Sequence, residues 1–141
     1  MAAEVPREFE AFLAEPRNAI LCIARGPGAP PHATPVWFHY RDGRLLVSIT
    51  RTSVKFRLLE RAPEVTLVVD DASRYTTVIV YGRAELLDDD ESLAGLSRSL
   101  REKYDPGAAA PSGPQLLREL RQEQRVVVSI VPSQVVSWAG E

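Results

Sequence analysis

Six short apolar runs, each bounded by a turn signal, constrain the fold of this chain more than any other feature. Val and Ile are frequent in these runs, and such composition is typical of β-strands. The runs cover Ala19–Ala24, His32–Tyr40, Leu45–Ile49, Val65–Val69, Tyr75–Leu87 and Arg125–Val131. Short turns join most neighbouring runs, so we expect an antiparallel sheet rather than a parallel one with helical crossovers. The sequence therefore predicts a mainly β fold whose six strands close, or nearly close, into a small barrel, in one domain over residues 1–141.

A few positions predict irregularities in these strands. Pro35 has no amide hydrogen, which indicates an open edge or a bulge in the second run. Gly82 lies inside the fifth run and indicates a bulge or a bend. Asp42-Gly43 is a turn signal that predicts a hairpin between the second and third runs. We expect Pro132 to end the last strand, with Val135–Trp138 as a short extended tail.

Four other stretches carry apolar residues at helical spacing. The predicted helices lie near Pro6–Leu13, Val54–Glu60, Glu91–Lys103 and Gln115–Arg121. Between the last two, Asp105–Pro114 contains Gly, Ala and three prolines and is predicted to be an exposed, mobile loop.

The turn before the second helix combines features of an anion site. Thr52 or Ser53 offers a side-chain oxygen that can cap the first turn of the helix. Lys55 lies in that first turn, where a cation gains nothing from the positive end of the helix dipole. Free amides, hydroxyls and a lysine at one helix start can bind a phosphate. The competing interpretation is an ordinary capped helix with a solvated lysine, and these residues alone favour it.

Composition excludes several classes of function. The chain has 141 residues and a net charge of −2, so bulk electrostatics does not favour nucleic acid as a partner. Cys22 is the single cysteine and is interpreted as a buried structural thiol. With His32 and His39 as the two histidines, no cluster has zinc spacing. The first residues do not resemble a signal peptide and no apolar run reaches membrane-spanning length, so a cytoplasmic protein without membrane contact is the default expectation.

The order of several motifs resembles the pyridoxamine 5′-phosphate oxidase-like, FMN-binding split-barrel superfamily. The motifs are Ala33-Thr34-Pro35-Val36-Trp37-Phe38, Asp42-Gly43, Ser48-Ile49-Thr50-Arg51-x-Ser53-x-Lys55, Arg61-Ala62-Pro63-Glu64-Val65 and Tyr81-Gly82-Arg83-Ala84-Glu85-Leu86. They span about residues 6 to 138, and the variant looks like the branch that uses the deazaflavin coenzyme F-420. No single motif is diagnostic, and the resemblance lies in their order and spacing.

The resemblance implies a homodimer of six-stranded split β-barrels with two cofactor sites in the clefts between subunits. In the family, the segment after the third strand holds the cofactor phosphate, and the second strand lies against its ring. Carried over to this chain, the phosphate positions are Thr50, Ser53 and Lys55, with Arg51 as a further candidate. The ring positions are Thr34, Pro35, Val36 and Trp37, and Ser48 and Ile49 would lie near the ribityl chain.

Two departures from the family pattern bear on the cofactor and the substrate. Vitamin B6 oxidases carry basic residues on the strand that matches Thr34–Tyr40, where this chain has none before Arg41. They also carry an arginine directly before the lysine of the phosphate segment, where this chain has Val54. Pyridoxamine phosphate would therefore lack its expected partners. Both departures favour F-420 over FMN.

The resemblance predicts an oxidoreductase that transfers a hydride between F-420 and a small organic acceptor, with FMN as the alternative cofactor. A non-catalytic module that binds flavin, deazaflavin or heme is the competing class. The cofactor supplies the chemistry, so no catalytic side chain is assigned. Tyr75, Tyr81, His39 or water are candidate proton donors. Two interpretations of Trp37 stay open: it lines the ring pocket, or it packs in the core or in a subunit interface.

Overall fold

Seven strands form one antiparallel sheet in a computed structural model that describes residues 3–109 and 111–140. Met1, Ala2, Ala110 and Glu141 lie outside the described residues. The single domain over residues 1–141 stays a prediction, and the loop predicted over Asp105–Pro114 is described without Ala110. The strands are β1 (Ala19–Ile23), β2 (His32–Val36), β3 (His39–Arg41), β4 (Arg44–Thr50), β5 (Glu64–Asp71), β6 (Thr76–Leu87) and β7 (Arg125–Trp138). The helices are α1 (Glu10–Ala14), α2 (Val54–Arg61), α3 (Asp90–Tyr104) and α4 (Gly113–Gln122), with 3₁₀ turns at Arg7–Phe9 and Ala72–Arg74.

The strand order explains how the sheet becomes a half-barrel. It runs β2-β1-β5-β6-β7-β4-β3, so β2 and β3 lie at opposite edges although only two residues separate them in sequence. The short link Trp37–Phe38 can join the two edges only if the sheet curls until they approach each other. The mainly β, antiparallel split-barrel fold is therefore confirmed.

The predicted count of six strands is wrong, because the second predicted run is not one strand. His32–Tyr40 divides into β2 and β3, and Phe38 between them is fully buried in the core. The sequence shows one continuous β-like run, but curling of the sheet requires a break where the chain passes from one edge to the other. Pro35 lies on β2 at the sheet edge, as predicted.

The last strand is longer than predicted, and a bulge is the reason. The pairing register of β6 and β7 shifts between Tyr81 and Gly82, so Ser133 has no partner and Pro132 faces Gly82. A proline has no amide hydrogen for the ladder, and the irregularity accommodates it. The bulge predicted at Gly82 is confirmed, whereas the prediction that Pro132 ends the strand is wrong.

Strand alternation separates the core from the outer face. Leu45, Val47 and Ile49 of β4 are buried, and the residues between them are half-buried. A second, smaller apolar cluster joins α3 and α4 to Val127 of β7. The two-residue turn Asp42-Gly43 joins β3 and β4 with positive φ at both residues, which is the geometry of the predicted hairpin.

Candidate functional site

An open groove of about 510 Å³ lies between the end of β2, strand β4 and helices α2, α3 and α4. The elements that wall it come from four separate parts of the chain. Its lining residues are Pro35, Val36, Trp37, Ser48, Lys55, Ser97, Leu100, Arg101, Asp105, Ala108, Leu116, Glu119, Leu120, Glu123 and Arg125.

The groove brings together five of the ten residues that the resemblance assigns to the cofactor: Pro35, Val36, Trp37, Ser48 and Lys55. These residues come from both the ring segment and the phosphate segment of the resemblance. The other five, Thr34, Ile49, Thr50, Arg51 and Ser53, do not line it. The Ile49 side chain is buried in the core, with 4% of its surface exposed. A contact of Ile49 with a ligand in the groove would therefore have to come from its backbone.

Ser53 caps helix α2, as the sequence predicted for Thr52 or Ser53. Its hydroxyl accepts a hydrogen bond from the Phe56 amide at 3.3 Å and donates one to the Thr50 carbonyl at 2.7 Å. The amides of Val54 and Lys55, in the same first turn, donate to no acceptor within residues 3–109 and 111–140. The helix start therefore keeps two unpaired donors, while the Ser53 hydroxyl is already occupied.

Lys55 and Arg101 of the groove form no ion pair with any residue that the structure describes. Within the described part of the chain, no carboxylate lies within 4.0 Å of the Lys55 ammonium or the Arg101 guanidinium. Both side chains belong to half-buried residues in the groove wall. A cation that is partly removed from water without a partner favours a bound anion.

The other basic candidates form ion pairs with carboxylates of the protein. Arg51 pairs with Asp88 at 2.6 Å and lies 5.3 Å from the Phe56 ring centroid. Arg125 lines the groove but pairs with Glu123 at 3.1 Å. Arg121 pairs with Asp90 on the surface. These cations are less available to a ligand than Lys55 and Arg101.

Thr34 on β2 has a hydroxyl without a partner among the described residues. Its Oγ1 atom is buried and has no hydrogen-bond partner among the residues described. Most buried hydroxyls are paired, so a bound molecule or a water is expected to complete this one. Thr34 does not line the groove, so the fit to a phosphate-bearing planar cofactor rests on Lys55, the two amides at the start of α2 and the wall formed by Pro35, Val36 and Trp37.

Two residues that the sequence did not single out, Tyr104 and Lys103, contact the link between β2 and β3. Tyr104 stacks on Trp37 with ring centroids 4.5 Å apart and an interplanar angle of 2°. The Tyr104 hydroxyl donates to the Arg17 carbonyl at 2.8 Å and accepts from the Phe38 amide at 3.2 Å. Lys103 donates to the carbonyls of Leu13 and Phe38, each at 2.8 Å. No local signal could reveal these contacts, because they join residues 65 to 90 positions apart.

None of the side chains proposed as proton donors lines the groove. His39 lies in a separate cavity with Glu10, Glu102 and Lys103, and burial followed by the nearby Lys103 cation lowers its pKa. The strand breaks between Trp37 and His39, and the two residues line different cavities. Tyr75 is 70% exposed, and Tyr81 is 40% exposed on the outer face of the sheet.

Cys22 differs from its predicted state. It is half-buried on the outer face of β1 rather than enclosed in the core, since the inward positions there are Leu21 and Ile23. Partial burial raises the pKa of its thiol. Within the described residues, no group of His, Cys, Asp and Glu side chains could hold a metal ion.

The family follows from a comparison of the whole chain with known families. A profile described as pyridoxamine 5′-phosphate oxidase matches residues 5–139. The chain belongs to this family. Family membership confirms the superfamily expected from the motifs and makes the chain a flavin-type oxidoreductase.

Solved structures share the fold over almost their full length. A conserved hypothetical protein from Mycobacterium tuberculosis is 25% identical, with a TM-score of 0.81, and the match covers 98% of this chain and 86% of that one. An F420 reductase is 23% identical, with a TM-score of 0.72 and coverage of 94% and 98%. A pyridoxamine 5′-phosphate oxidase-related, FMN-binding protein from Nostoc punctiforme is 18% identical, with a TM-score of 0.69 and coverage of 100% and 89%.

No curated protein matches the sequence significantly. In residues 3–109 and 111–140, no helix combines the length and the hydropathy needed to cross a membrane.

Proposed function

We propose that this protein is an oxidoreductase that transfers a hydride between coenzyme F-420 and a small organic acceptor bound in the groove. The observation that carries the proposal is the unpaired Lys55 at the start of α2, next to two amides without acceptors among the described residues. An ammonium and two free amides at one helix start favour a phosphate. We therefore assign the start of this helix as the anion end of the groove.

The residues of the groove and of the helix start would have separate roles in binding the cofactor. Lys55 and the Val54 and Lys55 amides would hold the cofactor phosphate, while Ser53 keeps the helix start in place through its cap. Pro35, Val36 and Trp37 offer a largely apolar wall for a planar ring. A reduced deazaflavin supplies a hydride to an electron-poor acceptor when it is bound. The wall would orient the acceptor and exclude water from the reacting face.

FMN is the second candidate cofactor, and particular observations bear on the choice. One structural neighbour is named as an FMN-binding protein, and another is named as an F420 reductase. Both neighbours are under 25% identical, so their names do not decide between the cofactors. Val54 precedes Lys55 where vitamin B6 oxidases carry an arginine, which gives an FMN phosphate one partner fewer. This departure supports F-420.

Titration of the purified protein with F-420 and with FMN, followed by calorimetry, tests the assignment. Lys55→Ala should weaken binding by about 1.5–3 kcal/mol, because a charge-assisted hydrogen bond is lost. This corresponds to a rise in Kd of about 10- to 150-fold. Arg57→Ala is the matched control, since it removes one exposed cation from the same helix outside the groove. Equal affinity of Lys55→Ala and the unmodified protein would remove the phosphate assignment.

A second measurement separates an enzyme from a binding module. Reduced F-420 bound to the protein is mixed with quinones and enones, and its reoxidation is followed by absorbance. Reoxidation faster than in protein-free solution supports catalysis. Tight binding without acceleration by any acceptor would favour a module for storage or sensing.

We also propose that the protein is a homodimer, supported by an apolar row on the outer face of the sheet. Ile20, Val68, Ile79 and Val136 lie side by side on four adjacent strands, and Ile20 is 38% exposed. A continuous apolar row of this kind favours burial against a second copy. Sedimentation should give twice the monomer mass, and Ile79→Lys should shift the equilibrium to monomer. Folded monomers of unmodified protein at micromolar concentration would exclude a stable dimer.

A further inference from the structure

Trp37 combines exposure with rigidity. Half of its surface is exposed, yet the residue lies at the wall of the groove and next to the fully buried Phe38. An exposed indole on a short link between two strands is expected to sample several rotamers. Contacts with neighbouring residues restrain the Trp37 indole.

The first restraint is the ring of Tyr104 at the end of α3. The two rings are nearly parallel at 4.5 Å, so one face of the indole is covered. The Tyr104 ring is itself fixed, because its hydroxyl bonds both the Phe38 amide and the Arg17 carbonyl. Aromatic pairs in this arrangement are attractive beyond the area that they bury.

The second restraint acts on the backbone that carries Trp37. The Lys103 ammonium binds the Phe38 carbonyl at 2.8 Å and lies 3.6 Å from the centroid of the Phe38 ring. The same ammonium binds the Leu13 carbonyl, so the end of α3 ties the strand link to α1. The link is therefore held from both its side chains and its backbone.

We propose that Tyr104 is a positioning residue of the groove, which holds Trp37 so that its open face stacks on a flat, conjugated ring. A fixed aromatic wall binds a planar ligand without the entropic cost of ordering the wall at the moment of binding. An apolar surface left half in water also gains from being covered by such a ring. The inference deepens the proposed function and rests on it, since it assigns the ligand class of the same groove.

Two molecules could supply the ring. One is the tricyclic ring of the cofactor, and the other is a planar acceptor such as a quinone. Both share the chemistry that Trp37 recognises, and the effects on cofactor Kd and on acceptor KM distinguish them.

The experiment uses Trp138→Phe protein, in which Trp37 is the sole tryptophan because the chain has two. Tyr104→Phe and Tyr104→Leu are introduced into this background. Calorimetry gives the Kd for F-420 and for FMN, and steady-state rates with reduced F-420 give the KM for menadione. Acrylamide quenching measures the accessibility of Trp37 before and after ligand is added.

Tyr104→Phe keeps a ring against Trp37, so the cofactor Kd and the menadione KM should each stay within about twofold of the background protein. Tyr104→Leu should raise one of them by about two- to tenfold, the range expected for an aromatic pair. A raised Kd identifies the cofactor ring as the partner of Trp37, and a raised KM with constant Kd identifies the acceptor. Ligand should protect Trp37 from acrylamide in the background protein.

Several results would overturn the inference. If the Kd and the KM of Tyr104→Leu equalled those of the background protein, the stack of Tyr104 on Trp37 would not act on the ligand. Equal losses in Tyr104→Phe and Tyr104→Leu would assign the effect to the hydroxyl and not to stacking. Protection of Trp37 before any ligand is added would mean that another part of the protein assembly covers its face. If neither F-420 nor FMN bound the background protein, the proposed function would fail first, and this inference with it.

Discussion

Gly82→Ala should destabilise the protein, although replacing glycine by alanine in a strand usually helps. A Cβ atom at Gly82 would lie 2.5 Å from the Val131 carbonyl oxygen and 2.9 Å from Ile130 Cγ2. The nearer atom belongs to the backbone of β7, so it cannot move away by rotating a side chain. Relief of the clash requires the bulge between β6 and β7 to open.

The magnitude follows from two opposing terms. Inserting a methyl group into a closely packed region costs about 1–3 kcal/mol. Alanine loses less backbone entropy than glycine on folding, which returns about 0.5–1 kcal/mol. We therefore expect the free energy of unfolding to fall by about 0–2.5 kcal/mol. Urea denaturation at fixed protein concentration measures it as a lower midpoint with an unchanged m value.

Gly95→Ala is the matched control. Gly95 lies within α3, and a Cβ atom built on it meets nothing within 4 Å. This variant should gain about 0.5–1 kcal/mol from the better helix propensity of alanine. We expect the free energy of unfolding to fall in Gly82→Ala and to rise in Gly95→Ala. A stabilised Gly82→Ala would refute the argument, because it would mean that β7 accommodates the methyl group freely.

Three further predictions concern the site and its supports. Ser53→Ala should lower the free energy of unfolding by about 1 kcal/mol, because the helix cap is lost. Thr52→Ala removes a hydroxyl that does not cap the helix, and its free energy of unfolding should stay within about 0.5 kcal/mol of the unmodified protein in the same urea assay. Equal losses in the two variants would show that Ser53 is not the cap. Burial and, to a smaller extent, the Arg17 cation lower the pKa of Lys103 from its usual 10.5 to about 8, so the folded state releases its proton first. Its contribution to stability should therefore be lowest below pH 8 and rise toward pH 10.5. Because Lys103 is only half-buried and solvent screens its charge, the rise should stay below the limit of about 1.4 kcal/mol per pH unit. The stability difference between the unmodified protein and Lys103→Met, measured by urea denaturation from about pH 7 to about pH 10, should follow that rise, and a constant difference would contradict the lowered pKa. The exposed pair of Arg51 and Asp88 should show a coupling energy of at most about 1 kcal/mol in a double-mutant cycle, and the coupling should decrease with salt; a larger, salt-independent value would show that the pair is more buried than its geometry indicates.

Local chemistry was sufficient for the parts of the fold that depend on neighbouring residues. The hairpin at Asp42-Gly43, the cap at Ser53 and the bulge at Gly82 each follow from the backbone freedom or hydrogen-bonding capacity of one or two residues. The strands were visible for the same reason, since their apolar composition and turn signals are read over a few positions. Lys55, which we propose as the anion end of the candidate site, was also singled out locally, because it lies at a helix start next to the cap.

Closure of the sheet was decided only by the tertiary structure. His32–Tyr40 has the composition of one strand, yet it crosses between the two edges of the sheet and must break at Trp37–Phe38. The same closure separates His39 from Trp37 and sets Tyr104 against the indole from 67 positions away in sequence. Pro132 remains within a strand because the pairing of β6 and β7 is irregular at this point, where Pro132 faces Gly82 and Ser133 has no partner. These features depend on contacts between distant segments, and periodicity or propensity in a single segment carries no information about which distant segment will meet it.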